Sequence, residues 1–377
     1  MSKRTAIIDI GSNSARLVIY EQSSRYGFRL ICEQKSKVRI GEGAYNNGGF
    51  LQPIGIERAY NALNSFKQTI ENYKAHKTIC VATSALRDAP NSKEFIQMIK
   101  QNLNLSIKVI DGKKEAFYGG IAVLNLLTKK DVITVDIGGG SSDITLIRNG
   151  KLEDAFSVNI GTVRLKELFF DNNSSIKDAK EFIQNELSLL PKNFQLDTIV
   201  AIGGSARTIA DIIIKTSDYP LNKLHAFKYE LKEYNDLLSR IVSSDIKDLY
   251  NFEISQDRHD TIREGILIFL EIAKYIGARQ VITSGVGVRE GVFLTSFLKK
   301  SNLQFPNNIN PSIQNILDRF DSCQGSKFDS KKRQTIKKLA EIFSSNFEIK
   351  KIFLFELQSA ITMSEIGKNL TIYKAHK

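Results

Sequence analysis

VITVDIGGGSSDITLI, residues 132–147, sets two short apolar runs on either side of a turn that carries an acid, three glycines and two serines. Runs this short, rich in β-branched residues and broken by glycine, read as a β-hairpin. The acid is Asp136, and Gly138, Gly139, Gly140, Ser141 and Ser142 follow it. Glycines without Cβ let backbone N–H groups approach an anion and the serines add donors, so the turn reads as a phosphate cradle with a carboxylate beside it for a metal. AIIDIGSNSARLVI, residues 6–19, repeats the order apolar run, Asp, Ile, Gly, small polar turn, apolar run. Asp9 falls on Asp136, Gly11 on Gly138 and Ser14 on Ser141, at an offset of 127 residues (136 − 9) that is far too long for a solenoid period. Two such turns predict two similar domains that offer them to one shared cleft.

A chain of 377 residues with 42% hydrophobic content buries a large core and needs more than one domain. Its 53 Lys and Arg against 41 Asp and Glu leave a charge of +12, which suits polyanionic partners and equally suits a plain solvated basic surface. Neither Cys32, Cys80 and Cys323 nor His76, His225, His259 and His376 have the spacing of metal ligands, which argues against zinc. Scattered cysteines fit a reduced, cytoplasmic protein. The start, MSKRTAIIDIG, has no long apolar core or cleavage site, and no apolar run is long enough to span a bilayer. A Walker-type loop is absent, as is an aromatic-rich basic patch. The expectation is a cytoplasmic protein with neither a membrane nor a nucleic acid as partner.

Along the first half, strand-like stretches at 27–33, 78–83 and 106–110 alternate with helical ones at 54–73, 92–102 and 113–127. The first helix shows its apolar face in Ile56, Tyr60, Leu63, Phe66 and Ile70. Such alternation predicts an α/β domain over 1–127. In the second half the hairpin leads to a strand at 155–160, a helix beginning near Thr162 and another at 177–190. The strand at 198–202 runs into Gly203, Gly204 and Ser205 and a helix at 206–214, an arrangement that can seat phosphate at a helix N-terminus. Helices at 235–242 and 261–276, a strand at 280–283, a third glycine turn at 284–287 and a helix at 289–299 complete a domain over 128–300.

Seven motifs then carry a resemblance: DIGSNSARLVI, ATSALRDA (82–89), GKKEAFYGG (112–120), DIGGGSSDI, IGGSARTIA (202–210), DRHDTIREGILI (257–268) and SGVGVREGVFL (284–294). In order and spacing they resemble the exopolyphosphatase/guanosine pentaphosphate phosphohydrolase family, within the superfamily of actin, sugar kinases and heat-shock ATPases. The resemblance implies an α/β fold of two duplicated actin-like (ribonuclease H-like) domains around a central cleft. It also implies removal of the terminal phosphate from inorganic polyphosphate, pppGpp or both.

Hydrolysis of a phosphoanhydride needs an activated water and neutralised phosphate charge. By the resemblance Glu115 is the general base; on residues alone it reads first as a solvated helix acid beside Lys113 and Lys114. Family members often have a second acid where Lys114 stands, so the local field here is expected to be more positive. Asp9 and Asp136 are the expected anchors of Mg²⁺, which binds through one or two carboxylates plus substrate phosphates. Ser12, Asn13 and Ser14 in one turn, with Gly138, Gly139, Gly140 and Ser141 in the other, are expected to grip the terminal phosphoryl group. Arg87 matches a family arginine that faces the phosphates, and Arg16 and Arg258 match positions associated with the rest of the substrate. Arg39 and Arg289 are candidates for the same basic cleft, although Arg289 could instead contact Glu290.

Residues 301–377 read as a helical segment, with a basic stretch at 331–343 and an apolar one at 349–357. Long family members carry a domain here resembling His-Asp phosphohydrolases, but Ser364 and Glu365 occupy its His-Asp position and the chain stops at His376 and Lys377. A truncated or shortened form of that domain is expected, serving as a surface for a homodimer or a polyanion. The alternative function is an ATP-binding switch, kinase or chaperone-like ATPase of the same superfamily.

Overall fold

The computed structural model describes residues 3–172, 174–217, 219–307, 309–320, 330–347 and 353–363. Its large unit, Arg4–Ile19 with Ile31–Gln304, is built on two mixed β-sheets. The first contains β1 (Lys3–Ile10), β2 (Ala15–Gln22), β3 (Phe28–Ser36), β4 (Lys77–Ala82) and β5 (Ile107–Val109), in spatial order β3-β2-β1-β4-β5. Helices α1 (Pro53–Asn72), α2 (Ser84–Asp88) and α3 (Ser92–Leu103) fall between its strands. Leu63 and Phe66 of α1 and Phe95 and Ile99 of α3 share one core with Ala6, Ile8 and Ile10 of β1. The apolar spacing read from the sequence is that buried face.

After α4 (Gly112–Leu126) comes the second sheet, with β6 (Val132–Ile137), β7 (Ser142–Arg148), β8 (Lys151–Val158), β9 (Thr198–Ile202), β10 (Lys228–Glu230) and β11 (Gln280–Thr283). Its order is β10-β11-β9-β6-β7-β8. Leaving β10 aside, β8-β7-β6-β9-β11 repeats the order of the first sheet, so the duplication seen in two turns extends to both sheets. The register agrees as well: Asp9 of β1 lies opposite Val81 of its parallel neighbour β4, and Asp136 of β6 opposite Ile202 of its parallel neighbour β9. Each hairpin closes with the same bond, Gly11 N–H donating to Ser14 O at 3.1 Å and Gly138 N–H to Ser141 O at 2.9 Å.

Between and after these strands run α5 (Thr162–Leu165), a π-helical turn Lys166–Phe170, α6 (Ile176–Leu187), α7 (Gly203–Thr216), α8 (Leu231–Ser243), α9 (Ile262–Ile276) and α10 (Val288–Phe297). Ile183, Ile209, Leu238, Ile266 and Phe269 from α6 to α9 share a core with Ile133, Val135 and Ile199. The helix expected from Thr162 is therefore one α-turn followed by a π-turn. Strand β8 starts earlier than expected, because Lys151 already pairs with Arg148 across the tight turn. Elements as short as α2 and β10 leave no periodicity to read.

Helix α4 precedes residue 127, yet it packs on the second sheet. Thr145 Oγ1 donates to Ala116 O at 2.7 Å, and Val123 shares a small core with Val132, Ile147, Val200 and Ile282. Its other side meets α10, where a Cβ on Gly291 would lie 1.9 Å from Tyr118 O. Backbone cannot retreat as a flexible side chain can, so Gly291→Ala is expected to cost about 1–3 kcal/mol. A melting temperature equal to that of the parent would contradict this contact.

The smaller unit takes in Tyr20–Leu30 and the chain from Phe305 on. It holds α11 (Pro311–Phe320), α12 (Ser330–Asn346) and α13 (Leu354–Met363). Phe28 stacks on Phe305 with ring centroids 6.5 Å apart, and Ser23 Oγ donates to Asp318 Oδ2 at 2.6 Å. The basic stretch at 331–343 falls within α12. Ser364, Glu365, His376 and Lys377 lie outside the described residues. Among the described residues, no helix is long and apolar enough to cross a membrane.

Candidate active site

Asp9 and Asp136 stand near the ends of β1 and β6 and open onto their turns, at the carboxyl edge where sheets with parallel cores seat ligands. The turns touch, since a Cβ on Gly139 would lie 2.8 Å from Ser12 Cβ and 3.4 Å from Asn13 N. Ser12 Oγ is in turn 2.9 Å from Ser84 Oγ. At the end of β9, Gly203 has φ +93° and would bring a Cβ within 2.7 Å of Asp136 Oδ1. A side chain there is excluded both by conformation and by the carboxylate. From Gly203 the 14-residue helix α7 begins, with its N-terminal turn in the cleft wall.

The cleft is bipolar. Its lining includes the carboxylates of Asp9, Glu115, Asp136 and Asp143 and the cations of Arg16, Lys35, Lys37, Arg207, Arg258 and Arg289. Burial, reinforced by Asp9, pushes Asp136 up to about 6. Burial and neighbouring Asp136 push Asp143 up to about 7. Burial raises Asp9 also, although Arg289 and Arg16 pull the other way. Glu115 lies well above the usual carboxylate range, through burial first and then Asp143 and Asp9, while Arg87 opposes the rise. Among the cations, burial and Arg289 lower Arg16 to about 10, and the same two causes lower Arg207.

Glu115 sits in the first turn of α4, whose N-cap Asp111 accepts Lys114 N–H at 2.7 Å. Arg87 Nη1 is 3.4 Å from Glu115 Oε2. Lys114 turns back along its own helix, with Nζ 4.1 Å from the Phe117 ring centroid, so its charge is not part of the cleft lining. Ser12, Asn13, Ser14, Gly138, Gly139, Gly203 and Gly204 all line the cleft with Arg16, Arg258 and Arg289. Arg289 Nη1 donates to Glu33 Oε1 at 2.8 Å, while Glu290 accepts Gly287 N–H at 2.7 Å. Four candidates stand outside the lining. Arg39 pairs with Asp260 at 2.6 Å and Glu42 at 3.2 Å. Gly140 O accepts Arg164 Nε at 2.9 Å, Ser141 is buried, and Arg87 acts on Glu115 from behind.

A sequence profile of the Ppx/GppA phosphatase family matches residues 18–300. The chain belongs to this family. The bifunctional 3-dehydroquinate synthase/phosphatase of Fusobacterium nucleatum is 33% identical over 300 residues, covering 74% of this chain. That match spans only 44% of the relative's own length. The guanosine-5'-triphosphate,3'-diphosphate pyrophosphatase of Pseudoalteromonas translucida is 26% identical over 389 residues, 99% of this chain and 74% of its own. Of solved structures, the Aquifex aeolicus member of the Ppx/GppA family matches with a TM-score of 0.67 at 30% identity, over 80% of this chain and 99% of that one. An exopolyphosphatase from Cytophaga hutchinsonii shares the fold, with a TM-score of 0.72 at 22% identity over 80% of this chain and 100% of that one.

In this Ppx/GppA member the structure adds cleft residues that sequence reasoning missed. Asp143 lies 127 positions after Arg16 (143 − 16), so the duplication itself pairs an acid in one half with a base in the other. An acid inside the apolar strand β7 was the available signal, since such a group is buried only for a reason. Arg207 lies one turn into α7, where its Nε donates to Gly203 O at 3.0 Å, and nothing but the motif around it marks the position.

The inner carboxylates fit a hard divalent cation. Asp143 Oδ1 is buried with no hydrogen-bond partner, and Asp136 is raised by burial and by neighbouring Asp9 despite the arginines around it. Among the described residues no three ligating side chains gather closely enough to enclose a metal. That is compatible with Mg²⁺, which completes its octahedron with water and phosphate oxygens.

Proposed function

We propose that this cleft hydrolyses the terminal phosphoanhydride bond of inorganic polyphosphate or of pppGpp. One observation carries the reading: a buried carboxylate, Glu115, beside Arg87, among the acids of a cleft whose lining also carries four arginines and two lysines. A buried carboxyl group whose affinity for protons is raised is suited to take one from an attacking water. Ser12, Asn13, Ser14 and Gly138–Gly139 hold the terminal phosphoryl group between two turns. Arg16, Arg207, Arg258 and Arg289 bind the phosphates behind it, guanidinium being matched to phosphate oxygens. Asp9 and Asp136 are the residues that would hold Mg²⁺, which when bound neutralises charge on the terminal phosphate.

The name of the Pseudoalteromonas relative supports pppGpp as a substrate, and the arginines and lysines of the lining suit any linear polyphosphate. Phosphate release from long-chain polyphosphate, pppGpp and ATP, each with and without Mg²⁺, tests the proposal; turnover of ATP alone favours the kinase or chaperone-like ATPase. Arg258→Ala is expected to raise KM about tenfold with a smaller fall in kcat, as for a group that binds ground and transition states alike. A fall in kcat alone would move Arg258 to the reacting phosphate. The protein is proposed to act as a cytoplasmic homodimer, in keeping with exposed Phe343, Phe347, Phe353 and Phe355 in the tail. Light scattering reads that state.

A further inference from the structure

Helix α5 is tied to the second turn. Its first amides take the carbonyls of that turn, Thr162 N–H donating to Gly138 O at 2.9 Å and Val163 N–H to Gly139 O at 2.8 Å. Arg164, next along, reaches three groups at once. Its Nε donates to Gly140 O at 2.9 Å, its guanidinium lies 4.4 Å from the Tyr45 ring centroid, and its Nη2 is 3.3 Å from Asp88 Oδ2. The other oxygen of Asp88 is 3.4 Å from Arg87 Nε, and Arg87 Nη1 is 3.4 Å from Glu115 Oε2. Glu167, within the π-turn that follows, accepts Gly43 N–H at 2.7 Å and Tyr45 N–H at 3.2 Å and so holds the loop that bears the ring.

We infer that Arg164 is a positioning residue, which grips the Gly140 carbonyl of the phosphate turn and, through Asp88, holds Arg87 against Glu115. The inference rests on Glu115 acting as the base. None of Arg164, Asp88 and Tyr45 lines the cleft, so their effect on turnover has to pass through the residues they hold. A carboxylate between two arginines keeps both in place; with one removed, half-exposed Asp88 is free to follow water and Arg87 is left with its contacts to Ile110 O and Glu115, both at 3.4 Å. Only a planar fork meets a carbonyl, a carboxylate and a ring face together, so lysine does not replace arginine here.

Phosphate release by Arg164→Met, Arg164→Lys, Asp88→Asn and the double variant R164M/D88N tests this. A misplaced catalytic group costs about ten- to a hundredfold, and each single variant is expected to lose that much kcat with KM within about twofold. The double variant is expected to be no worse than the poorer single one, as members of one chain of contacts. Unchanged kcat in the singles, additive losses, or a rise in KM alone would overturn the inference. Asp88→Asn is isosteric at a half-exposed position and keeps the test available should Arg164→Met fail to fold. If Glu115→Gln is itself fully active, it is the reading of the base that fails; if Glu115→Gln is inactive and the Arg164 and Asp88 variants are normal, only the positioning role fails.

Discussion

Glu115→Gln is expected to lower phosphate release about 10²- to 10⁴-fold, the contribution of a positioned general base, while the protein keeps its fold. The amide is isosteric and can still accept from Arg87, so its chief loss is the ability to take a proton. Stability argues in the same direction. Burial and three neighbouring acids, Asp143, Asp9 and Asp136, already oppose ionisation of Glu115, so an uncharged group relieves the cleft, and the melting temperature at pH 8 is expected to hold or rise. Loss of activity together with a lower melting temperature would point to a structural carboxylate. Activity within threefold of the parent would remove Glu115 from the reaction.

What the sequence shows of this site depends on how locally each feature is encoded. The turns at Asp9 and Asp136 are each written in about ten consecutive residues, and their shared order survives 127 positions apart, so both the hairpins and the duplication are legible. Placement of α4 is not, because a helix buried on two sides carries no mark of which sheet it joins. Asp143 stands out as an acid in the apolar strand β7, but nothing local says that it faces the cleft beside Asp136 and Glu115. Arg164 and Asp88 are 76 residues apart in the chain, and no local pattern announces that they meet. Arg39 shows the same limit from the other side: its place in a glycine-rich loop does not reveal that Asp260, 221 residues away, pairs with it outside the cleft lining.

Raising the pH from 5 to 8 is expected to lower the melting temperature of the ligand-free protein. Asp136, at about 6, and Asp143, at about 7, bind protons more tightly when folded than the ordinary carboxylates of an unfolded chain. Between roughly pH 4 and 7 the folded state therefore holds more protons, and stability falls as pH rises through that window. Buried Glu264, raised to about 7 by burial, adds in the same sense. For Asp136 and Asp143 together the loss is of the order of 3 kcal/mol, less than the sum of two independent shifts because the two acids share one field. Glu33 and Asp257 are held below the usual range and destabilise only in more acidic solution, outside this window. Asp143→Asn is expected to flatten the slope and raise the melting temperature at pH 8; a pH-independent parent, or an unchanged slope in the variant, would refute it. Asp9 and Asp136 are proposed to hold Mg²⁺, which would keep them ionised, so excess Mg²⁺ is expected to flatten the slope and EDTA to restore it. Since a base must be deprotonated to act and Glu115 is raised well above the usual carboxylate range, turnover is expected to rise with pH: the charges that repel one another are the ones proposed for the reaction.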